Sequence, residues 1–92
     1  MANGDLIELI DKCREMELDD NQTMVVLKIH TRYGFTRGDM DTEISVVGEN
    51  KKLLLELSEN TEKEILERLK QQIQAKLREK KKKEAQNSDD GR

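Results

Sequence analysis

The chain has 92 residues, a length that allows one small domain with one hydrophobic core. Charged residues make up 40% of it and aromatic residues 2%, so any core is aliphatic and thin, and no apolar run reaches membrane-spanning length. The single cysteine, Cys13, cannot form an internal disulfide, and no secretory-type leader is apparent, so we expect a reducing, cytoplasmic location.

The net charge of −3 is unevenly distributed along the sequence. Residues 1–21 hold seven acidic side chains against Lys12 and Arg14, whereas residues 51–92 hold twelve basic side chains against nine acidic ones. Such an asymmetry is typical of solvated surfaces, and it can also steer a charged partner.

The first predicted element is an amphipathic helix that either Asn3 or Asp5 can cap and that ends near Glu17. Asp5 and Glu8 have the spacing of a capping box. Because Cys13 lies within the apolar stripe of this helix, we expect a buried, unreactive thiol. The stripe consists of Leu6, Leu9, Ile10, Cys13 and Met16.

The segment from Thr23 to Val47 has a period-2 hydrophobic pattern that predicts a β-hairpin. Antiparallel pairing with opposed residue numbers summing to about 73 buries one face of this hairpin. The same register places His30 beside Glu43 and Arg32 beside Asp41 on the other face. The residues predicted on the buried face are Val25, Leu27, Ile29, Tyr33, Met40, Thr42, Ile44 and Val46.

The predicted hairpin closes through a loop from Gly34 to Asp39 that contains two glycines. Phe35 lies at or near its tip. The ring either folds back on the edge of the sheet or serves as an anchor for a partner.

The segment Lys51–Leu57 fits either a third strand or the beginning of a helix. We favour a strand, because Thr61 and Glu64 form a new capping box that a helix already running would not need. A strand here directs alternate leucines to the core and leaves Leu54 exposed.

The last helix is predicted from about Glu62 to about Lys80, followed by a disordered charged tail over residues 81–92. The predicted domain is therefore residues 4–80. Its fold class is α+β: a helix, a three-stranded antiparallel β-meander and a long C-terminal helix (αβββα), with both helices on one face of the sheet. The apolar row of the last helix contains Ile65, Leu66, Leu69, Ile73 and Leu77, and its far end should overhang the sheet.

No catalytic motif is present. One His and one Cys occur, on different predicted elements, and no nucleophile elbow, phosphate loop, dinucleotide fingerprint or zinc spacing is found. Asp39, Asp41 and Glu43 share a predicted face with His30 and could hold a divalent cation. Pairing with basic side chains of the opposite strand satisfies these carboxylates without a metal. We expect no enzyme activity, no metal and no cofactor.

Nucleic-acid binding is one functional hypothesis. The predicted order of elements resembles, in topology alone, that of double-stranded-RNA-binding domains, and this resemblance implies phosphate contacts. The chain departs from that family at the start of the last helix, where Glu62, Glu64 and Glu67 replace a lysine cluster. The candidate contact residues are Lys76, Arg78, Lys80, Lys81, Lys82 and Lys83.

A non-enzymatic protein-binding module is the leading hypothesis, because the predicted outer sheet face mixes apolar and charged side chains. In style the chain resembles phage or mobile-element accessory proteins such as anti-CRISPR inhibitors, which occlude a host enzyme. We also expect a homodimer, since Val26, Leu54, Ile73 and Leu77 have no predicted intrachain cover. The candidate partner-binding residues are Val26, Lys28, His30, Arg32, Phe35, Arg37 and Leu54.

Overall fold

The computed structural model describes the backbone of residues 2–90 and the side chains of residues 4–83. Within that part the chain forms helices and no strand, so the predicted α+β class and its three-stranded meander are wrong. The helices are α1 (Ala2–Glu15), α2 (Asp20–Tyr33), α3 (Met40–Glu49), the one-turn α4 (Lys51–Leu54) and α5 (Glu62–Asp90), with a 3₁₀ turn at Arg37–Asp39.

Helix α2 occupies the segment predicted as the first strand. Asp19 caps it: its Oδ1 accepts a hydrogen bond from the Gln22 N–H at 2.8 Å, and the Gln22 Oε1 accepts one from the Asp19 N–H at 3.0 Å. Gly34 ends the helix in the left-handed conformation, with φ 66°. The buried positions of α2 follow helical spacing: Gln22, Val25, Val26, Ile29 and His30.

Helix α3 replaces the predicted second strand. Its buried positions Met40, Ile44 and Val47 have helical spacing, and Val46 is buried as well. Glu43 completes this stripe and is itself fully buried. A charged residue within the buried stripe hides the helical period, and β-branched valines favour an interpretation as a strand.

The predicted third strand is also wrong, because Lys51–Leu57 forms α4 and the turn that follows it. Leu54 is half-buried against the core, whereas Leu55 is 82% exposed. This is the reverse of the alternation that a strand would impose. Leu53, Leu54 and Leu57 instead face the core with the spacing of a helical turn.

Helix α5 begins at Glu62, as predicted, and its row from Ile65 to Ile73 is buried. It continues to Asp90, past the predicted end near Lys80. Ile73 is fully buried, so the overhang begins only after Leu77, where every side chain over residues 78–83 is exposed. The helix is about 43 Å long, and it accounts for most of the 51 Å long axis of the molecule. The separate tail of residues 81–92 stays a prediction.

The core lies between α1, α2, α3 and α5. Helix α2 packs on α1 and α3, and α5 packs across α3 and α2. Leu9 and Cys13 of α1, Ile29 of α2 and Leu69 of α5 are fully buried in this core. None of the helices in the described part combines the length and the apolar character needed to cross a membrane.

The turn after α1 gives a first testable prediction. Glu17 has φ 60°, and the Leu18 N–H donates to the Cys13 carbonyl at 3.0 Å to close the turn. Because a β-carbon in this conformation costs about 1–2 kcal/mol, Glu17→Gly should raise the free energy of unfolding by up to about 1 kcal/mol in urea denaturation.

Gly34→Ala is the matched control and should have the opposite sign. A β-carbon at Gly34 would meet no atom within 4 Å, so its cost is backbone strain at φ +66°. Destabilisation by Glu17→Gly would contradict this account of the α1 turn.

Candidate functional site

A buried pair of ionisable side chains joins α2 to α3. His30 Nδ1 lies 2.9 Å from Glu43 Oε2 and 3.2 Å from Oε1. His30 is 7% exposed and Glu43 is 0% exposed, so solvent contributes almost nothing to either group. Such a pair satisfies both polar groups, and it leaves a costly unpaired group if one of them is removed.

Burial raises the pKa of Glu43 to about 7, because desolvation disfavours the carboxylate. The hydrogen bond from His30 and the charge of His30 oppose this shift and offset only part of it. The negative charge of Asp39 adds to the rise. Glu43 therefore exchanges a proton near neutral pH, unlike an exposed glutamate.

Cys13 lies in the same region of the core and is fully buried, as predicted. Burial raises the pKa of its thiol, the hydrogen bond with Thr23 opposes this rise, and the charge of Glu43 adds to it. A thiol with a raised pKa and no exposure is a poor nucleophile. Cys13 and the buried pair therefore form part of the core.

The carboxylates that could hold a cation do not converge. The Asp39 carboxylate accepts hydrogen bonds from the Thr36 N–H and hydroxyl, both at 2.9 Å, and Asp41 pairs with Lys12 of α1 at 3.1 Å. Glu43 points into the core. Among the described residues, no group of three or more His, Cys, Asp or Glu side chains is placed to hold a metal ion.

The predicted outer sheet face does not exist. Val26 and His30 are buried, and Lys28 of α2 forms an ion pair with Glu62 of α5. Arg32 remains exposed, with its guanidinium 6.0 Å from the centroid of the Tyr33 ring. These residues therefore form no common surface, because a helix turns alternate side chains to different sides.

The premise of the predicted homodimer is also wrong. Val26 and Ile73 are fully buried within the chain, and Leu54 and Leu77 pack half-buried against its core. All four residues thus have intrachain cover. The oligomeric state itself stays a prediction.

Phe35 folds back on the molecule and is half-buried against the core, the first of its two predicted placements. It borders a cavity of about 280 Å³ between α1 and α2, which is also lined by Asp5, Leu6, His30 and Thr31. The neighbouring Arg37 is exposed and pairs with Glu8 of α1, with Nε 3.2 Å from Oε2. The Arg37–Glu8 ion pair therefore links this loop to α1, next to the cavity that Phe35 borders.

The exposed end of α5 carries the densest cluster of basic side chains in the described part of the chain. We call Arg78 and Lys80 to Lys83 the basic belt; all five side chains are exposed. Lys76, one turn earlier, forms an ion pair with Glu49 of α3 at 2.6 Å. The belt therefore contains most of the sequence-predicted nucleic-acid residues, without Lys76.

The belt has two flanks. The cavity on the α3 flank, of about 360 Å³, is lined by Lys76, Glu79, Lys80 and Lys83 of α5 and by Asp41, Thr42 and Ser45 of α3. On the other flank, a cavity of about 390 Å³ is lined by Phe35, Asp39, Gln74, Leu77, Arg78 and Lys81. The body of the protein thus borders α5 on both flanks of the belt, and basic side chains of the belt lie on each flank.

Comparison with protein-family models, with curated proteins and with solved structures finds no match to this chain. The function of the protein is therefore inferred from the geometry and charge of the described residues.

Proposed function

We infer that this chain is a non-enzymatic nucleic-acid-binding protein of the cytoplasm, and that the basic belt of α5 is its binding surface. The observation that carries this proposal is the exposure of all five belt cations on a helix that extends past the body. This hypothesis was second from the sequence and now comes first, because the residues of the outer sheet face on which the other depended form no common surface.

The belt concentrates charge more than an ordinary solvated helix does. Five cations occur within six residues, interrupted only by Glu79, so few acidic neighbours on the helix neutralise them. Clustered like charges produce a potential that attracts a polyanion and is relieved when phosphates bind. A solvated surface helix more commonly alternates the two signs.

The body of the protein confines this contact to α5. Residues 1–75 hold sixteen acidic side chains against ten basic ones, so most of the chain repels a phosphate backbone. Close to the belt, Asp39 and Asp41 line the flanking cavities. We therefore expect a short contact of few phosphates and modest affinity.

Binding should be measured by fluorescence anisotropy with a labelled 20-base-pair duplex at 50 and 200 mM salt. Each phosphate contact contributes about −0.9 to the slope of log K against log salt, so five contacts weaken binding by up to about 500-fold over this range. Lys80→Gln with Lys81→Gln should reduce this slope by about two contacts.

The matched control is Lys51→Gln with Lys52→Gln, an adjacent pair of exposed lysines on α4. This variant also removes two positive charges, but from α4 instead of from the belt. Its affinity for the duplex should therefore stay within about twofold of that of the unmodified protein. Absence of binding at 50 mM salt, or equal losses in the two double variants, would overturn the proposal.

A protein partner is the second candidate, and the cavity beside Phe35 and Leu6 favours it because apolar walls there surround the polar groups of His30 and Thr31. Such a partner, for example a host enzyme that is inhibited by occlusion, should bind independently of salt and of residues 81–92. Binding that is lost in Phe35→Ala and kept after that deletion would support this candidate over the first.

A further inference from the structure

We propose that the nucleic acid is duplex DNA and that the basic belt lies lengthwise in its major groove. This inference rests on the proposed function and specifies its partner. It follows from the distribution of the belt cations around α5, from the width of the groove, and from the places that the two aromatic side chains occupy.

The cations lie on both flanks of one helix. Lys80 and Lys83 are spaced i, i+3 and face the cavity beside α3, whereas Arg78 and Lys81 have the same spacing and face the cavity beside Phe35. Lys82 lies roughly 140° around the helix from Leu77, which packs against the core. Glu79 lies roughly 160° around the helix from Leu77 and shares this side, so the belt is cationic on both flanks and carries one cation and one acid on the side opposite the body.

This distribution matches a groove with two phosphate walls. A helix with its side chains is about 10–12 Å wide, and the major groove of B-form DNA is about 12 Å wide. In that groove each flank meets one backbone, Lys82 and Glu79 face the base edges, and the body sits at the mouth of the groove, where α3 and the Phe35 loop border the belt. A cationic row on one flank alone would suit a helix that lies across a single backbone.

Duplex RNA fits the belt less well. Its major groove is deep and narrow, so side chains on a helix cannot enter it, and its wide minor groove is shallow. A belt on a helix could then reach one strand only. We therefore expect weaker binding to duplex RNA than to duplex DNA of the same length.

The belt lacks the aromatic side chains on which the bases of a single strand would stack. Helix α5 contains no aromatic residue, and the chain has one Tyr and one Phe. The Tyr33 ring is half-buried with Lys70 Nζ 5.0 Å from its centroid, and its hydroxyl is buried, while Phe35 packs against the core. Stacking on such rings supplies much of the affinity of single-strand-binding proteins.

The belt has little means of reading sequence. Four of its five cations are lysines, which act as point charges, and Arg78 alone has the planar fork that recognises guanine. We therefore expect phosphate contacts to dominate and affinity to vary by less than about tenfold among duplexes of different sequence.

The experiment compares duplex DNA, duplex RNA and single-stranded DNA of 20 nucleotides in one anisotropy assay at 50 mM salt. The expected order places duplex DNA first, by about tenfold or more. Equal or tighter binding of RNA or single strands would overturn this inference and leave the proposed function standing. Absence of binding to all three would overturn both.

Two flank variants test the groove geometry with duplex DNA. Lys80→Gln with Lys83→Gln, and Arg78→Gln with Lys81→Gln, should each weaken binding about tenfold, since each removes the contacts to one wall. Loss in one variant only would show that the helix lies across a single backbone, and would overturn the groove assignment. Unchanged helicity by circular dichroism checks that both variants fold.

Discussion

Glu43→Ala should lower the free energy of unfolding at pH 7 by about 3–5 kcal/mol, the largest loss expected for any single polar side chain of this protein. The substitution leaves His30 buried without its partner and empties the space of a fully buried side chain. A domain of this size has about 5–15 kcal/mol of stability in total. The variant should therefore unfold at a much lower urea concentration.

Asp41→Ala is the matched control, because it removes a carboxylate of the same helix that also forms an ion pair. The Asp41 side chain is 80% exposed and its partner is Lys12, so the loss should stay below about 1 kcal/mol. Urea denaturation followed by circular dichroism measures both variants. Equal losses would show that burial of the pair has no energetic consequence.

Replacing both members tests whether the pair or the unpaired group decides stability. His30→Leu with Glu43→Met fills the same region with apolar side chains, and such replacements of buried ion pairs are often neutral or stabilising. The double variant should thus be more stable than Glu43→Ala. The single variants His30→Leu and Glu43→Met complete the comparison. If the double variant lost as much free energy of unfolding as these two variants together, the two side chains would act independently.

The sequence predicted the apolar faces of α1 and α5 correctly, because the signal for each face is local in the sequence. The stripe of Leu9 and Cys13 has uninterrupted helical spacing, and so has the row from Ile65 to Ile73. Helix α5 begins at Glu62, directly after Thr61. The Thr61 hydroxyl forms hydrogen bonds with Ser58 and Glu56, outside the predicted capping box. The uninterrupted apolar period was therefore the signal that sufficed for these helices.

The central segment could not be predicted in this way. Val25 and Ile29 fit a period of 2 as well as a helical period, so Val26 and Leu27 decide between the two, and the sequence does not say which one is buried. The buried Glu43 then removes the helical signal from α3. Asp19 and Gly34 cap α2 and are the sequence signal for this helix. Aspartate also favours turns and glycine also favours hairpin loops, so the same residues fit the predicted hairpin.

One contact of the wrong hairpin is nevertheless present. The predicted register placed His30 beside Glu43, and these residues do pair, because the short connection brings the last turn of α2 close to the first turn of α3. The other predicted pair is absent, since Asp41 contacts Lys12. Sequence register thus identified the buried pair, while its burial required the helices.

The candidate binding site was only partly predictable. The composition identifies the lysines from Lys80 to Lys83 as a basic cluster. The loss of apolar periodicity at the same point predicted that the helix ends near Lys80, so most of these lysines were assigned to a disordered tail with no defined arrangement. Continuation of α5 through Lys83 is what distributes the cations over two flanks. The lysine content alone predicts binding to any polyanion and does not favour one kind over another.

Stability should fall as the pH rises from about 4.5 to about 7, in contrast to proteins whose carboxylates are stabilised by folding. The unfolded chain binds the Glu43 proton with a pKa near 4.5, and burial raises this pKa to about 7 in the folded protein. Between these values the folded state binds more protons than the unfolded state. The contribution is complete below about 4.5 and is lost as the pH passes about 7.

A difference of this size corresponds to roughly 3 kcal/mol, which urea denaturation at pH 5, 6, 7 and 8 can resolve. Glu43→Gln mimics the protonated side chain, so it should keep most of the stability measured at pH 5 and lose the decline. His30→Gln removes the group that lowers the pKa of Glu43, and the decline should then move above pH 7. Identical pH profiles for the unmodified protein and Glu43→Gln would show that Glu43 is ionised throughout, and that the pair with His30 outweighs desolvation.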